Sequence, residues 1–360
     1  MRNIMRIIQV LDALDYGDGV SNDVINKNNL LKDMEYDALI YSKWANDKVD
    51  KYRRDIDLLN VEKDDLLLHH FSGKSHILDK VLNVDCTKIL IYHNITPSYF
   101  FSSDINQQIL NEGEEQLKNI FDNYDYFVAD SEFNADCMRK IGVNKEIHIL
   151  PILIDFSEIN KYKKNNIKIK NSRDLTFLFV GRVAPNKKHE DIVDIFDCYY
   201  RDINCNSKLI FVGNYSNYME YYNKLKSKIS TLNLSENIVF TGKVDTADLY
   251  DYYINSDVFI CMSEHEGFCI PLLESMYCGL PTIAFNAGAI KSTMGNAGIL
   301  VNHKSPETIA RLIYTIISSE NIKKQIVEKQ NKWVRNFNEE MIKERIDLLI
   351  KRWTGEKCYE

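Results

Sequence analysis

Long apolar runs are absent from this sequence of 360 residues. No segment approaches the roughly 20 apolar residues that a membrane-spanning helix needs. The opening segment is not typical of a secretion signal either, because Arg6 interrupts its apolar run and Asp12 and Asp15 follow closely. We therefore expect a cytoplasmic protein.

Positive charge is not in excess, since 45 Lys and Arg residues are outnumbered by 52 Asp and Glu residues. The net charge of -7 argues against nucleic acid as a partner, because phosphate binding favours a basic face. The eight cysteines are scattered, without a C-x-x-C pair or another metal-like cluster, and are interpreted as reduced thiols. With 45% hydrophobic residues, the composition is typical of a globular chain long enough for two domains.

Short segments rich in β-forming residues alternate with stretches of helical spacing. Such alternation predicts an α/β protein with doubly wound, Rossmann-like parallel sheets covered by helices on both faces. In the first half the predicted strands are 6–11, 37–42, 65–71, 88–94, 124–130 and 146–151. In the second half they are 175–181, 208–213, 237–244, 258–263, 281–285 and 298–301.

The segment between these two sets of strands is polar and basic, and we interpret residues 158–174 as a linker with its flanks. The predicted organisation is an N-terminal Rossmann-like domain over residues 1–155 and a C-terminal Rossmann-like domain over 156–335. A terminal helix within 336–360 is expected to pack back toward the first domain. Two doubly wound sheets that face each other would place a central ligand cleft at the carboxyl ends of their strands.

The most informative segment is SEHEGFCIPLLESMYCGLP, residues 263–281. It predicts the end of a strand, a turn at Gly267, and a helix that begins near Ile270 and stops at Gly279. The start of such a helix attracts anions. Glu266 lies in the turn and Glu274 inside the helix, where a carboxylate among apolar residues needs partners such as ribose hydroxyls. The alternative is that both are ordinary surface acids.

A second segment, FVGRVAPNKKHEDIV, places Arg182 and Lys187 directly after a predicted strand. Arginine can bind a phosphate through two hydrogen bonds, and lysine adds a point charge. A solvated basic loop is equally compatible with these two residues alone. Together with a helix start on the same sheet edge, the two cations favour recognition of a diphosphate.

These two segments together resemble the retaining glycosyltransferases of family 4, which have the two-domain GT-B fold. EGFCIPLLE has that family's E-x7-E pattern, and VGRVAPNK is similar to its G-R-x4-K element. The sequence departs from the family at Cys269, where glycine is frequent, and at Ser292, where an acid is frequent.

The resemblance assigns roles to individual residues. Arg182 and Lys187 would bind the donor diphosphate, Glu266 the sugar hydroxyls and Glu274 the ribose. By their position, Lys243 and Val244 would contact the base. The full set of residues implied to contact the nucleotide sugar is Gly17, Gly19, Arg182, Lys187, Lys243, Val244, Gly267, Phe268, Cys269, Ile270 and Glu274. Catalytic roles are implied for His93, Arg182, Lys187 and Glu266.

The resemblance makes residues 1–155 the acceptor-side domain and residues 156–335 the nucleotide-sugar-binding domain. In the first half, it brings the loop with Gly17 and Gly19 close to the donor phosphates and the acceptor. The loop is not a complete G-x-G-x-x-G motif, and an ordinary turn with a helix cap at Ser21 or Asn22 explains it equally well.

The segment YHNITPSYFF, residues 92–101, resembles part of a bacterial polysaccharide-type subgroup of the family. In that subgroup the matching histidine approaches the transferred sugar, which assigns this role to His93. The alternative is a hydrogen-bonded residue at the end of a strand, with Asn94 capping the turn.

As a whole, the resemblance implies a hexosyltransferase of surface-polysaccharide or lipopolysaccharide biosynthesis. It would move mannose or a related hexose from a GDP- or UDP-sugar to a glycan or lipid-linked acceptor. No cofactor is expected, since the nucleotide sugar is a substrate. No metal is expected either, because cations and a helix start would stabilise the leaving diphosphate and the second half has no D-x-D motif. The alternatives are a disaccharide phosphorylase, a sugar-nucleotide epimerase, or a non-catalytic protein that binds nucleotide sugars.

A lipid-linked acceptor would bring the protein to the inner face of the cell membrane. Residues 48–55 and 161–170 contain basic and aromatic side chains that could contact anionic headgroups. Solvated loops explain the same composition.

Overall fold

The computed structural model describes residues 5–165 and 174–355, so part of the basic stretch 161–170 lies outside the described residues. The chain divides into two compact units. Unit 1 comprises Met1–Asp155 and Phe337–Glu360, and unit 2 comprises Phe156–Asn336.

Unit 1 is built on a parallel sheet of seven strands in the order β3-β2-β1-β4-β5-β6-β7. Its strands are β1 (Arg6–Leu14), β2 (Asp37–Ala45), β3 (Arg54–Asp55), β4 (Leu66–Phe71), β5 (Thr87–Tyr92), β6 (Tyr126–Ala129) and β7 (Ile147–Ile149). The helices of its first segment are α1 (Gly19–Asp33), α2 (Leu78–Leu82), α3 (Asp104–Ile120) and α4 (Glu132–Lys140). The six predicted strands are confirmed. The two-residue edge strand β3 was not predicted, because its exposed residues carry no apolar pattern.

The residue that caps α1 is neither of the two that the ordinary-turn alternative named. Asp18 caps the helix, and its Oδ2 accepts hydrogen bonds from the Ser21 amide at 3.0 Å and the Ser21 hydroxyl at 3.1 Å. A cap at Ser21 or Asn22, which was the alternative given for this loop, is therefore wrong. Gly17 precedes the cap with φ of 72°, in the left-handed region that glycine adopts most easily. With Asp18 as the cap, the helix begins at Gly19, three residues earlier than a cap at Ser21 would allow.

Unit 2 contains a parallel sheet of six strands in the order β10-β9-β8-β11-β12-β13. Its strands are β8 (Leu175–Val180), β9 (Ser207–Val212), β10 (Ile238–Gly242), β11 (Val258–Cys261), β12 (Thr282–Phe285) and β13 (Ile299–Val301). Its helices are α5 (Phe156–Asn165), α6 (His189–Asp202), α7 (Met219–Thr231), α8 (Thr246–Asn255), α9 (Ile270–Tyr277), α10 (Ile290–Met294), α11 (Pro306–Ser318) and α12 (Glu320–Val334). The six strands predicted for this half are confirmed.

Helix α5 corrects the interpretation of residues 158–174 as a linker, at least as far as Asn165. Phe156 and Ile159 lie three positions apart and both are buried, and Phe156 stacks on Tyr277 with ring centroids 4.4 Å apart. The lysines around these residues in the sequence obscured the helical spacing. A few apolar residues are nevertheless enough to bury one side of a short helix.

The last helix, α13 (Glu339–Thr354), belongs to unit 1. Ile342, Ile346, Ile350 and Trp353 recur at helical spacing and lie in the same apolar core as Ile7 of β1. The chain thus returns to unit 1 after unit 2 is complete.

Candidate functional site

The strand order of unit 2 reverses between the neighbouring strands β8 and β11. Because all neighbours are parallel, the loops that follow these two strands emerge at the same edge of the sheet. Doubly wound sheets bind ligands at such a reversal, outside the carboxyl ends of the strands. Arg182 and Lys187 follow β8, and Glu266 follows β11.

These two loops are fastened to each other by hydrogen bonds. The Glu264 amide donates to the Asn186 carbonyl at 2.9 Å, and the Asn186 side-chain amide donates to the His265 carbonyl at 3.1 Å. Glu264 also accepts from Lys304 Nζ at 2.8 Å and pairs with Lys188 at 3.3 Å. Glu264, for which the sequence suggested no role, therefore ties the loop after β8 to the loop after β11.

The centre of the site is an ion pair between Lys187 and Glu266. Lys187 Nζ donates to Glu266 Oε2 at 2.6 Å, and the two side chains are only 16% and 9% exposed. Burial alone would lower the pKa of Lys187, but the neighbouring Glu266 carboxylate outweighs burial, so the pKa of Lys187 is raised. Arg182 lies in the same loop with an exposed side chain. The site thus combines a charged, buried pair with an exposed cation nearby.

Gly288 lets another loop approach Glu266 closely, and the sequence did not reveal this role. Its φ is 55°, and a Cβ atom there would lie 2.6 Å from the Glu266 carbonyl oxygen and 2.9 Å from its amide nitrogen. The next amide, of Ala289, donates to the Glu266 carbonyl at 2.9 Å. The only signal in the sequence is a glycine after a strand, in FNAGAI. No local sequence pattern indicates that Gly288 contacts Glu266, which lies more than twenty positions away.

Helix α9 begins at Ile270, as predicted from the sequence, and stops before Gly279. Phe268 is buried, and its carbonyl accepts a hydrogen bond from Thr293 Oγ1 at 2.5 Å. Contact of Phe268 with a ligand would therefore have to involve its backbone. The loop that carries Glu266 leads directly into helix α9. The partial positive charge at the N-terminal end of α9 therefore follows Glu266 closely in the chain.

Glu274 lies in the second turn of α9 and is partly buried. Its Oε2 accepts a hydrogen bond from the Tyr253 hydroxyl at 2.8 Å. Burial raises the pKa of Glu274 to about 7; the Tyr253 hydrogen bond opposes this shift and the charge of Glu158 adds to it. Burial thus destabilises the ionised form of this carboxyl. Tyr253 is a hydrogen-bond partner that the sequence did not suggest.

The residues predicted to contact the base follow β10, the outermost strand of this sheet. Lys243 is exposed and Val244 is half-buried. They emerge at the same sheet edge as Arg182 and Lys187, with β9 between the two loops.

In unit 1, His93 follows β5, and its side chain is completely buried. Its Nε2 is hydrogen-bonded to His70 Nδ1 at 2.8 Å, and its Nδ1 lies 3.4 Å from Asp130 Oδ2. His70 in turn contacts Gln9 Oε1 at 3.1 Å. The pairing of the two histidines joins the ends of β4 and β5, which sequence alternation within either strand could not reveal.

The other predicted residues of unit 1 are Gly17 and Gly19. Gly17 lies in the turn before α1, and Gly19 is the first residue of that helix.

Within the described ranges, no helix combines the length and apolar character that crossing a membrane requires. In the basic stretch 48–55, Arg53 pairs with Asp50 at 2.9 Å and with Asp55 at 3.4 Å. Part of the positive charge of this stretch is therefore balanced locally.

Comparison with known proteins finds similarity mainly in the second half of the chain. Residues 160–336 match the family model described as Glycosyl transferases group 1. A Methanocaldococcus jannaschii protein, uncharacterized glycosyltransferase MJ1069, is 31% identical over 249 residues, which cover 67% of this chain and 59% of that protein. A second protein of that organism, uncharacterized glycosyltransferase MJ1178, is 22% identical over 93% of this chain and 95% of its own length.

Among solved structures, the Anabaena protein Alr3699/HepE in complex with UDP and glucose has a TM-score of 0.74 at 15% sequence identity. The match covers 97% of this chain and 100% of that protein. This likeness, with the two parallel sheets, confirms the predicted GT-B fold with two Rossmann-like domains. The residues that match the family model, 160–336, lie within unit 2.

Proposed function

We propose that this protein is a retaining glycosyltransferase of the family 4 type. It would move mannose or a related hexose from a GDP- or UDP-sugar to a glycan or lipid-linked acceptor in surface-polysaccharide assembly. The observation that carries the proposal is the buried Lys187–Glu266 pair beside the start of α9, at the strand-order reversal of a group 1 domain. The solved neighbour in complex with UDP and glucose supports a nucleotide sugar as the donor.

The donor diphosphate is proposed to lie between the loop after β8 and the start of α9. Lys187 and Arg182 supply full positive charges there, and the helix end supplies a partial one. The ion pair to Glu266 keeps Lys187 protonated, since its pKa is raised. A cation that stays charged stabilises the negative charge that develops on the leaving diphosphate.

The two glutamates are proposed to bind opposite ends of the donor. Glu266 would accept hydrogen bonds from sugar hydroxyls, with Lys187 and the Ala289 amide holding its side chain and backbone in place. Glu274 would accept hydrogen bonds from the ribose hydroxyls in addition to the one from Tyr253. These added partners would stabilise its partly buried carboxylate. His93 keeps the role implied by the resemblance, contact with the transferred sugar, which requires that its buried ring become accessible.

The proposed chemistry is a displacement on one face of the sugar. The acceptor oxygen bonds to the anomeric carbon as the bond from that carbon to the diphosphate oxygen breaks, and the acceptor proton passes to the leaving phosphate. Glu266 orients the sugar and steadies positive charge at the reacting carbon. Isolation of a glycosylated Glu266 during turnover would replace this scheme with a covalent one.

Donor binding can be tested with a panel of UDP-, GDP- and other nucleotide sugars, measured as the thermal shift of the purified protein. We expect one nucleotide class to stabilise the wild type and to lose its effect in Arg182→Ala and Glu274→Ala. Arg201→Ala and Glu328→Ala are matched controls, because both side chains are exposed on other helices of unit 2. Stabilisation by no donor, or equal stabilisation of all variants, would contradict the proposal.

Product analysis then separates transfer from other reactions of similar enzymes. A transferase releases free nucleoside diphosphate and lengthens a glycan. A requirement for inorganic phosphate would indicate a phosphorylase, an epimerised nucleotide sugar an epimerase, and binding without turnover a non-catalytic protein. Each of these three outcomes would overturn the proposed reaction.

A further inference from the structure

The loop that carries Glu266 also brings two cysteines together. Cys261 is the last residue of β11 and is 1% exposed, and Cys269 stands at the cap position of α9. One ligand atom each from Cys261, Glu266 and Cys269 lies within 4.8 Å of the other two. The sequence did not predict this cluster, because the two cysteines are eight positions apart and match no common metal-binding spacing.

The backbone of Cys269 is strained in a way that favours a role for its thiol. Its φ of 73° and ψ of 65° lie in the left-handed region. For a residue with a Cβ atom this conformation is unfavourable, whereas glycine adopts it readily. Glycine would therefore suit the backbone better, so the cysteine is present despite a conformational cost. Such strain recurs at binding sites.

The donor set of this cluster suits a thiophilic cation. Zn²⁺ binds thiolate and carboxylate ligands, whereas Ca²⁺ and Mg²⁺ prefer oxygen ligands alone. Three protein ligands leave one tetrahedral position for water. Glu266 Oε2 already accepts from Lys187, but a carboxylate has two oxygens and several acceptor positions.

We propose that Cys261, Glu266 and Cys269 form a binding site for a thiophilic divalent cation such as Zn²⁺. Binding exchanges thiol protons for metal–sulfur bonds, so the two protons are released to solvent as the cation enters. The cation competes with Lys187 for Glu266. The site is new relative to the proposed transferase and does not depend on it, since metal binding is measured without any nucleotide sugar.

The test is a titration of the reduced, full-length protein with Co²⁺ alone, followed by displacement with Zn²⁺. We expect one equivalent of Co²⁺ to produce a sulfur-to-cobalt charge-transfer band that Zn²⁺ abolishes. In Cys269→Gly the affinity should fall on the order of 100-fold, since a direct ligand is lost. This variant should fold, because glycine relieves the backbone strain, and its circular dichroism and melting temperature check that it does.

Cys278→Ser is the matched control, because that half-buried thiol directly follows α9 and lies outside the cluster. Its affinity should stay within about threefold of the wild type, while Glu266→Gln should keep the band at about tenfold lower affinity. Absence of the band, or unchanged affinity in Cys269→Gly, would overturn the proposal. So would a Cys261–Cys269 disulfide found by mass analysis of the protein before metal is added. None of these results would affect the donor panel, which reports on the transferase proposal separately.

Discussion

The protonation of Glu274 should make the stability of this protein depend on pH in a predictable direction. The pKa of Glu274 is raised from 4.5 to about 7, chiefly by burial. Between these two pH values the folded chain keeps a proton that the unfolded chain has released. The folded state therefore binds more protons, and stability contributed by this group is complete below about pH 4.5 and is lost as pH rises through about 7.

The size of this effect follows from the difference between the two pKa values. At about 1.4 kcal/mol per unit, the rise from 4.5 to about 7 corresponds to about 3 kcal/mol. Because Glu274 is only partly buried, solvent screening reduces this figure, and we expect between about 1 and 3 kcal/mol. Glutamine has nearly the same shape, can still accept the Tyr253 hydrogen bond and cannot ionise.

Glu274→Gln should therefore be more stable than the wild type at pH 8, by about 1–3 kcal/mol, and nearly equal to it at pH 5. Urea denaturation of both proteins at the two pH values measures this difference. Glu328→Gln, on the exposed surface of α12, is the control and should show no pH-dependent difference. A Glu274→Gln difference that is the same at both pH values would refute the assignment of a raised pKa to this carboxyl.

Two further changes test the geometry around Glu266. Gly288→Ala should lower the free energy of unfolding by about 2 kcal/mol more than Gly279→Ala, because both positions have positive φ but only Gly288 would clash with backbone, at 2.6 Å. Thermal denaturation of the two variants measures this, and equal losses would contradict the close approach. Lys187→Met should cost about 3 kcal/mol in urea denaturation, since it leaves the Glu266 carboxylate buried without its cation. Adding Glu266→Gln to Lys187→Met should recover part of that loss, and full additivity of the two changes would argue against the ion pair.

Much of the fold could be predicted from the sequence, because strands and helices leave local periodic patterns. The twelve longer strands and the start of α9 at Ile270 were found in this way. The failures have local causes as well. Asp18, and not Ser21, caps α1. Helix α5 was missed because lysines surround its few apolar residues in the sequence.

The site could be predicted only in its residue types and their order along the chain. Arg182, Lys187, Glu266 and Glu274 were identified from the two motifs, but not the contacts among them. The 2.6 Å pairing of Lys187 with Glu266 joins residues 79 positions apart, and neither residue's local pattern specifies the other.

The sequence by itself determined the alternation of strands and helices, the turn chemistry and the presence of the charged residues near strand ends. These properties depend on neighbours a few positions away. Only the tertiary structure decided that Lys187 neutralises Glu266, that Gly288 lies against its backbone, and that Glu274 holds its proton near neutral pH. It also brought Cys261 and Cys269 to one place. The physical reason is that distance, burial and solvation between segments arise only when parallel strands align their loops at one edge of the sheet.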